Sequence, residues 1–153
     1  MRLDYIDHFA ISIKNLQASA DWYKQVLGFD IFHRWKTTWM LQRENMKIGL
    51  FERPQAGTID NLDQKIAFQH LAFHVSADEF IDAQVQLGNL GIQYDGPEDT
   101  GVAYSIFLSD PDGHLLELTT YYGEDKPAST AAKMLDGCAN PARRAINPPV
   151  ATK

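Results

Sequence analysis

Residues 69–75, Gln69-His70-Leu71-Ala72-Phe73-His74-Val75, decide how the chain is read. Alternate side chains of a strand point to opposite faces, so Leu71, Phe73 and Val75 make an apolar face. His70, Ala72 and His74 lie on the other. An imidazole carried by an apolar strand is costly unless a metal ion or a carboxylate partners it. Near the start of the chain, Asp7-His8-Phe9-Ala10-Ile11-Ser12-Ile13 repeats the pattern. His8 stands where His70 stands and Ala10 where Ala72 does, with Phe9, Ile11 and Ile13 as the opposite face. The echo predicts a duplicated fold in which each half contributes one histidine.

What surrounds the two stretches supports the duplication. Residues 5–13 read as a strand, and Asn15 caps a helix that runs to about Leu27 and stops at Gly28. Leu16, Ala20, Tyr23 and Leu27 have helical spacing. Strands follow over Phe29–Trp35, Thr38–Gln42 and Met46–Glu52. A polar linker, Pro54 to Lys65, separates this module (about residues 5–53) from a second (about 66–122). There the strand over 67–75 precedes a helix capped by Ser76, with Glu79 completing a capping box. Its apolar face is Phe80, Ala83, Leu87 and Leu90, and Gly91 stops it. Strands follow over Ile92–Tyr94, Tyr104–Leu108 and His114–Tyr121, with a tight turn at Asp110-Pro111-Asp112-Gly113. Both modules read β-α-β-β-β, and units repeated in this way complete one another's core. Residues 1–122 therefore form a single α+β domain. Residues 123–153 form a Pro-, Ala- and Lys-rich tail with one helical candidate, Ser129–Leu135. It reads as a loose tail in preference to a lid or a dimer arm.

The 153 residues, 44% hydrophobic and 22% charged, have a globular composition and are enough to bury one core. A net charge of −6 without a Lys/Arg run disfavours nucleic acid and anionic membranes as partners. One cysteine, Cys138, suits a reducing compartment, and the first residues lack a leader's apolar core. No stretch approaches the roughly 18 apolar residues of a membrane span. The cytoplasm is the expected location.

The last strand supplies the third chemical element. Leu116 and Leu118 belong under the helices, which sends Glu117 to the face of His8 and His70 if the modules are equivalent. Each of the three alone is ordinary, since a lone strand histidine is usually a satisfied core or surface residue. Together, two imidazoles and one carboxylate can hold a divalent ion and leave positions open for substrate and water.

On these residues the chain resembles the vicinal oxygen chelate superfamily: glyoxalase I, extradiol dioxygenases, fosfomycin-resistance enzymes and bleomycin-binding proteins. The matching stretches are Asp7–Ile13, Trp22–Phe29, Gln69–Phe73 and Asp110-Pro111-Asp112-Gly113-His114-Leu115-Leu116-Glu117-Leu118. The resemblance implies paired βαβββ modules forming a cup-shaped mixed sheet, with His8, His70 and Glu117 holding a metal ion, and usually a homodimer. It implies iron(II) for a dioxygenase, and nickel, zinc, manganese or cobalt for other members.

A few positions separate the members. Glyoxalase I adds a fourth ligand from the last strand of the first module, where this chain has Gly49; Glu52 has the wrong parity and would need a bulge to reach the ion, and it stays a minority candidate. Dioxygenases and fosfomycin enzymes place a tyrosine ten residues before the carboxylate, and that position is Phe107. Tyr104 and Ser105 lie nearby, Tyr104 with the opposite parity, and Tyr104 is a catalytic candidate beside His74. No Lys/Arg cluster in the second module suits a phosphonate. His74, about 13 Å along the strand from His70, is too far to be a ligand and is typed for a general base. His33 lies on a first-module strand, at the cup or the surface, and His114 is expected to face solvent. Trp35, Trp39, Phe51, Phe107 and Tyr121, with Gly49, are candidates to line a pocket for an aromatic or hydrophobic small molecule, with plain packing as the alternative for many of them. The leading reading is ring cleavage of a catechol-like diol by a metal-dependent dioxygenase. A glyoxalase-like lyase or isomerase is next, followed by a fosfomycin-type transferase and a metal-free bleomycin-binding protein.

Overall fold

A computed structural model describes residues 2, 4–57, 67–100 and 102–121. The later part of the linker and the whole tail, with its helical candidate, lie outside the described residues. The chain divides into two units. Unit one runs to Ala67 and also takes in Asp110–His114; unit two takes in Phe68–Ser109 and the residues from Leu115 on.

Unit one has the predicted order: β1 (Phe9–Ile13), α1 (Leu16–Leu27), β2 (Asp30–Arg34), β3 (Thr38–Arg43) and β4 (Met46–Glu52). Its sheet runs β1-β4-β3-β2, with β1 parallel to β4 and the other pairs antiparallel. The Asn15 side chain accepts from the Ala18 amide, and Gly28 ends α1 at φ 71°, a left-handed turn that glycine takes without a steric penalty. Arg43 Nη1 adds a 2.7 Å bond to the orphan carbonyl of Leu27. Leu16, Ala20, Tyr23 and Leu27 bury one face of α1 with Ile13, Leu41, Ile48 and Leu50.

Unit two repeats the order with β5 (Leu71–His74), α2 (Ala77–Asn89), β6 (Tyr94–Asp99), β7 (Ala103–Ser109) and β8 (Leu115–Tyr121). Its sheet runs β5-β8-β7-β6, again with the first strand parallel to the last. The Ser76 hydroxyl accepts from the Glu79 amide to start α2. Phe80 and Leu87 are buried, whereas Leu90 is 38% exposed at the C-cap, so the apolar face ends one turn earlier than predicted.

The largest departure from the sequence reading is β6. The strand expected over Ile92–Tyr94 lies instead over Tyr94-Asp95-Gly96-Pro97-Glu98-Asp99 and pairs with β7 through an irregularity between Asp95 and Glu98. An edge strand tolerates proline because its outward amides need no partner, and the irregularity absorbs Gly96 and Pro97. Gly96 has φ 108°, and a Cβ there would stand 2.7 Å from the Ser105 carbonyl oxygen. Only glycine lets the two backbones come this close.

The turn at Asp110 is more than a connection. Asp110 is 5% exposed. Its Oδ1 accepts the amides of Asp112 and His114, both at 2.9 Å, and its Oδ2 accepts the Tyr23 hydroxyl at 3.0 Å. Asp112 Oδ2 accepts the Lys14 amide and the Ser19 hydroxyl at 3.2 and 3.3 Å. His114, expected in solvent, has Nε2 2.7 Å from the Ser12 carbonyl oxygen. A carbonyl only accepts, so Nε2 carries the proton.

Burial, and then the Asp110 and Asp112 carboxylates, push the Tyr23 hydroxyl well above its ordinary ionisation range. Above about pH 10 the unfolded chain releases this proton while the folded chain keeps it, so stability falls as pH rises through that range. Tyr23→Phe should cost about 1–3 kcal/mol in urea unfolding at neutral pH, because Asp110 Oδ2 loses its buried donor. The same variant should lose less stability than the parent between neutral and strongly alkaline pH. A parallel fall in both proteins would show that Tyr23 is not the group responsible.

Candidate metal site

In unit two the site starts from the alternation of β8. Leu116 and Leu118 are 2% and 6% exposed, which turns Glu117 to the opposite face of the sheet. Pairing with β5 sets Ala72 beside Glu117 and His74 beside Thr119. Pairing with β7 sets Phe107 opposite Glu117 and Ser105 opposite Thr119. His70, the residue before β5, brings Nε2 to 2.9 Å from Glu117 Oε2, and its ring stands edge-on to Phe107 at 5.9 Å. Glu117 Oε1 accepts the hydroxyl of the fully buried Ser105 at 2.5 Å. The Glu117 side chain is 12% exposed and that of His70 39%, so the pair meets solvent mainly through the imidazole.

The 2.9 Å separation is that of an imidazole–carboxylate hydrogen bond, and two ligands of one divalent ion can stand as far apart. Two ligand atoms each about 2.1 Å from an ion stand about 3.0 Å apart when they meet it at a right angle. The observed separation is 2.9 Å. Imidazole with carboxylate is also a donor set that first-row divalent ions accept. Among the described residues, no group of three or more His, Cys, Asp or Glu side chains is arranged to hold an ion.

The predicted third ligand, His8, belongs to unit one, where it holds the place that His70 holds in unit two. Each precedes its strand by one residue, and the registers agree: Ala10 pairs with Gly49 as Ala72 pairs with Glu117. Gly49 is thus the counterpart of Glu117, as its parity predicted. His8 Nδ1 lies 2.8 Å from Asp7 Oδ2, while Asp7 Oδ1 binds Lys47 Nζ. Lys47, and then His8, hold the Asp7 carboxyl below its ordinary range. With Nδ1 donating to Asp7, neutral His8 keeps the Nε2 lone pair for a ligand.

The other predicted residues divide. His74 lies on the Glu117 face with its ring 5.9 Å from that of Tyr121, which is 48% exposed. Phe51 shares the Gly49 face of unit one, and Trp35, 52% exposed, lies against His33 with rings 4.3 Å apart. Trp39 does not share that face. It pairs with the buried Leu50 on the helix side, and the Arg34 guanidinium covers its ring at 4.8 Å. Tyr104 is likewise on the wrong face for chemistry with Glu117: it pairs with Thr120 and is 4% exposed. Glu52 Oε1 accepts the Leu16 amide at 3.4 Å, at the positive end of α1. Beside Phe107 a cleft of about 400 Å³ runs along β6 between Ile92, Tyr94, Asp95 and Leu115; neither His70 nor Glu117 lines it. The sequence reading names Ser105 only as a neighbour of Phe107 and gives Asp7 no role of its own. Ser105 was open to the argument that found His70, a polar side chain in an apolar strand that needs a partner.

The fold and the paired imidazole and carboxylate define a class. Residues 5–118 match the model of the Glyoxalase/Bleomycin resistance protein/Dioxygenase superfamily, and the chain belongs to that family. It is 30% identical over 114 residues to biphenyl-2,3-diol 1,2-dioxygenase 3 of Rhodococcus globerulus, a match covering 72% of this chain and 60% of that enzyme. This chain therefore spans less than two thirds of that relative's length. Over 132 residues it is 30% identical to metallothiol transferase FosB of Staphylococcus epidermidis, covering 80% of this chain and 93% of the transferase. A glyoxalase/dioxygenase from Nostoc punctiforme has the same fold, with a TM-score of 0.65 and 22% identity over 76% of this chain and 90% of its own. So does the fosfomycin resistance protein FosX of Listeria monocytogenes, solved with Mn(II) and sulfate, with a TM-score of 0.63 and 18% identity over 80% of this chain and 94% of its own. Among the described residues no helix is long and apolar enough to cross a membrane.

The two glycines that matter here should respond differently to a methyl group. A Cβ on Gly49 would meet Phe51, Ala10 and the Phe9 carbonyl oxygen at 3.4–3.6 Å, which is ordinary contact. Gly49→Ala should therefore leave thermal and urea stability within about 0.5 kcal/mol, whereas Gly96→Ala should lose about 1–3 kcal/mol or more to backbone strain. Equal losses in the two variants would mean that Gly49 is held by its backbone and not by the role of its position.

Proposed function

We propose that this protein is a metal-dependent enzyme in which His8, His70 and Glu117 hold a divalent ion, and that its leading reaction is ring cleavage of a catechol-like diol by dioxygen. The observation that carries the reading is the His70–Glu117 pair, 2.9 Å apart on the strand face opposite the core. A bound ion supplies Lewis acidity to two adjacent substrate oxygens and, if it is iron(II), a route for dioxygen. The chain's own residues do the rest. Phe107 and Tyr121 offer ring surfaces to an aromatic substrate. His74, on the same face and one strand repeat beyond Ala72, takes a proton from a diol hydroxyl. Residues 66–122 contain no lysine or arginine to pair with a phosphonate. The soluble, cytoplasmic and homodimeric state expected of this family belongs to the same proposal.

One observation favours a second reading, thiol transfer to a small epoxide. The match to FosB spans 93% of that transferase, against 60% of the dioxygenase. A glyoxalase-like isomerase is less well supported, because Gly49 offers no fourth ligand.

Metal analysis of protein purified anaerobically without chelator tests the proposal. Wild type should carry stoichiometric iron and consume oxygen with 2,3-dihydroxybiphenyl or catechol, and Glu117→Ala should lose both. His74→Ala should keep the metal and lower turnover by about 10²–10⁴-fold. Thiol addition to an epoxide without oxygen uptake would select the transferase. Metal-free protein whose ligand binding survives His8→Ala would leave a binding protein.

A further inference from the structure

We propose that Ser105 is a positioning residue for Glu117, fixing one carboxylate oxygen so that the other presents its lone pair to a divalent ion beside His70. The inference rests on the metal reading above and adds to it a residue that this reading does not need.

Ser105 stands in the middle of β7 between Tyr104 and Ile106, and all three are buried. A hydroxyl with no access to solvent costs stability unless its hydrogen bonds are made. Ser105 has one proton and two lone pairs to place. The proton goes to Glu117 Oε1 at 2.5 Å, a short hydrogen bond. Thr119 Oγ1 lies 3.1 Å from Ser105 Oγ and, since the serine proton is already used, is the donor of that bond. Thr119 is directly opposite Ser105 and two residues beyond Glu117 on β8, so the hydroxyl relay is tied to the strand that carries the carboxylate.

A glutamate side chain turns about several bonds, and an exposed one would have to be ordered each time an ion binds. Here Oε1 is already held, which sets the carboxylate plane and leaves Oε2 at 2.9 Å from His70 Nε2. Outer-layer hydrogen bonds to ligating carboxylates act in this way and typically change metal affinity 10–100-fold. The counterpart of Ser105 in unit one is Thr38, which pairs with Phe51 as Ser105 pairs with Thr119. Unit one keeps a hydroxyl at this place but has glycine where the carboxylate would be.

The test titrates Mn(II) into metal-stripped full-length protein and follows the free-ion EPR signal, with circular dichroism of the metal-free protein as a control for folding. Ser105→Ala should weaken Mn(II) binding 10–100-fold. Ser105→Cys, close in volume but a poor donor, should weaken it as well, and it decides the matter if the alanine variant does not fold. Thr119→Val should give a smaller loss, and Glu117→Gln should abolish binding. Wild-type affinity in both Ser105 variants, with binding lost in Glu117→Gln, would overturn the positioning role and leave the metal site standing. Wild-type affinity in Glu117→Gln would overturn the metal reading itself, and this proposal with it.

Discussion

A carboxylate held against a sheet, on a strand whose other face is sealed in the core, is the constraint around which unit two is arranged. Leu116 and Leu118 lock the parity of β8, and a slip by one residue would bury Glu117 and expose both leucines. A largely covered carboxylate is tolerable only with partners, since an unpaired buried charge costs several kcal/mol. Glu117 has two, a neutral hydroxyl on one oxygen and an imidazole on the other. The hydroxyl is present whatever the metal state. The imidazole is not so committed, because the place of its proton is also the place an ion would take. Of the two contacts, the one with His70 is therefore built to change.

The same frame is repeated in unit one, and what differs is more informative than what is kept. Matching registers put Gly49 where Glu117 stands, Met40 where Phe107 stands and Thr38 where Ser105 stands. A carboxylate removed from one unit leaves that unit with only its histidine as a ligand candidate. His8 then needs orientation from elsewhere, and it comes from sequence neighbours and the adjacent strand: Asp7 holds Nδ1, and Lys47 holds Asp7. Two routes to the same end thus coexist, a buried neutral donor for the carboxylate and an exposed charged chain for the imidazole.

Local physics was what the sequence made legible. Asn15 and Gly28 bound α1, and Met46–Glu52 is β4, because caps, apolar spacing and alternation act within a dozen residues. Parity carried over along a single strand was equally reliable, and it correctly placed Glu117, Gly49 and the off-face Tyr104. Nearness in sequence was a weaker guide: Trp35 and Trp39 were grouped as pocket candidates, but the chain reverses between β2 and β3 and Trp39 faces the helix side. Strand β6 was misplaced at Ile92–Tyr94 for another reason: its pairing over Tyr94–Asp99 depends on a glycine that lets β7 approach, a tertiary fact that local composition does not carry. Ser105, a polar residue in an apolar strand, called for a partner as His70 did, and its burial shows how costly it would be without one.

The Asp110-Pro111-Asp112-Gly113-His114 stretch, the most characteristic part of the family resemblance, contains none of the proposed ligands, and its bonds explain why it is nonetheless so recognisable. Asp110 accepts two amides of its own turn and the Tyr23 hydroxyl, Gly113 takes φ 91°, and His114 spends its ring proton on the Ser12 carbonyl. Each residue type answers a separate stereochemical demand, so few other sequences would serve. The backbone bonds between Asp110 and His114 close a loop of fixed length, and the Ser109–Leu115 pair starts β8 immediately after it. A turn that could gain or lose a residue would shift that register and send Glu117 into the core. The motif therefore bears on the chemistry through the strand it starts: it determines which face of β8 receives the carboxylate.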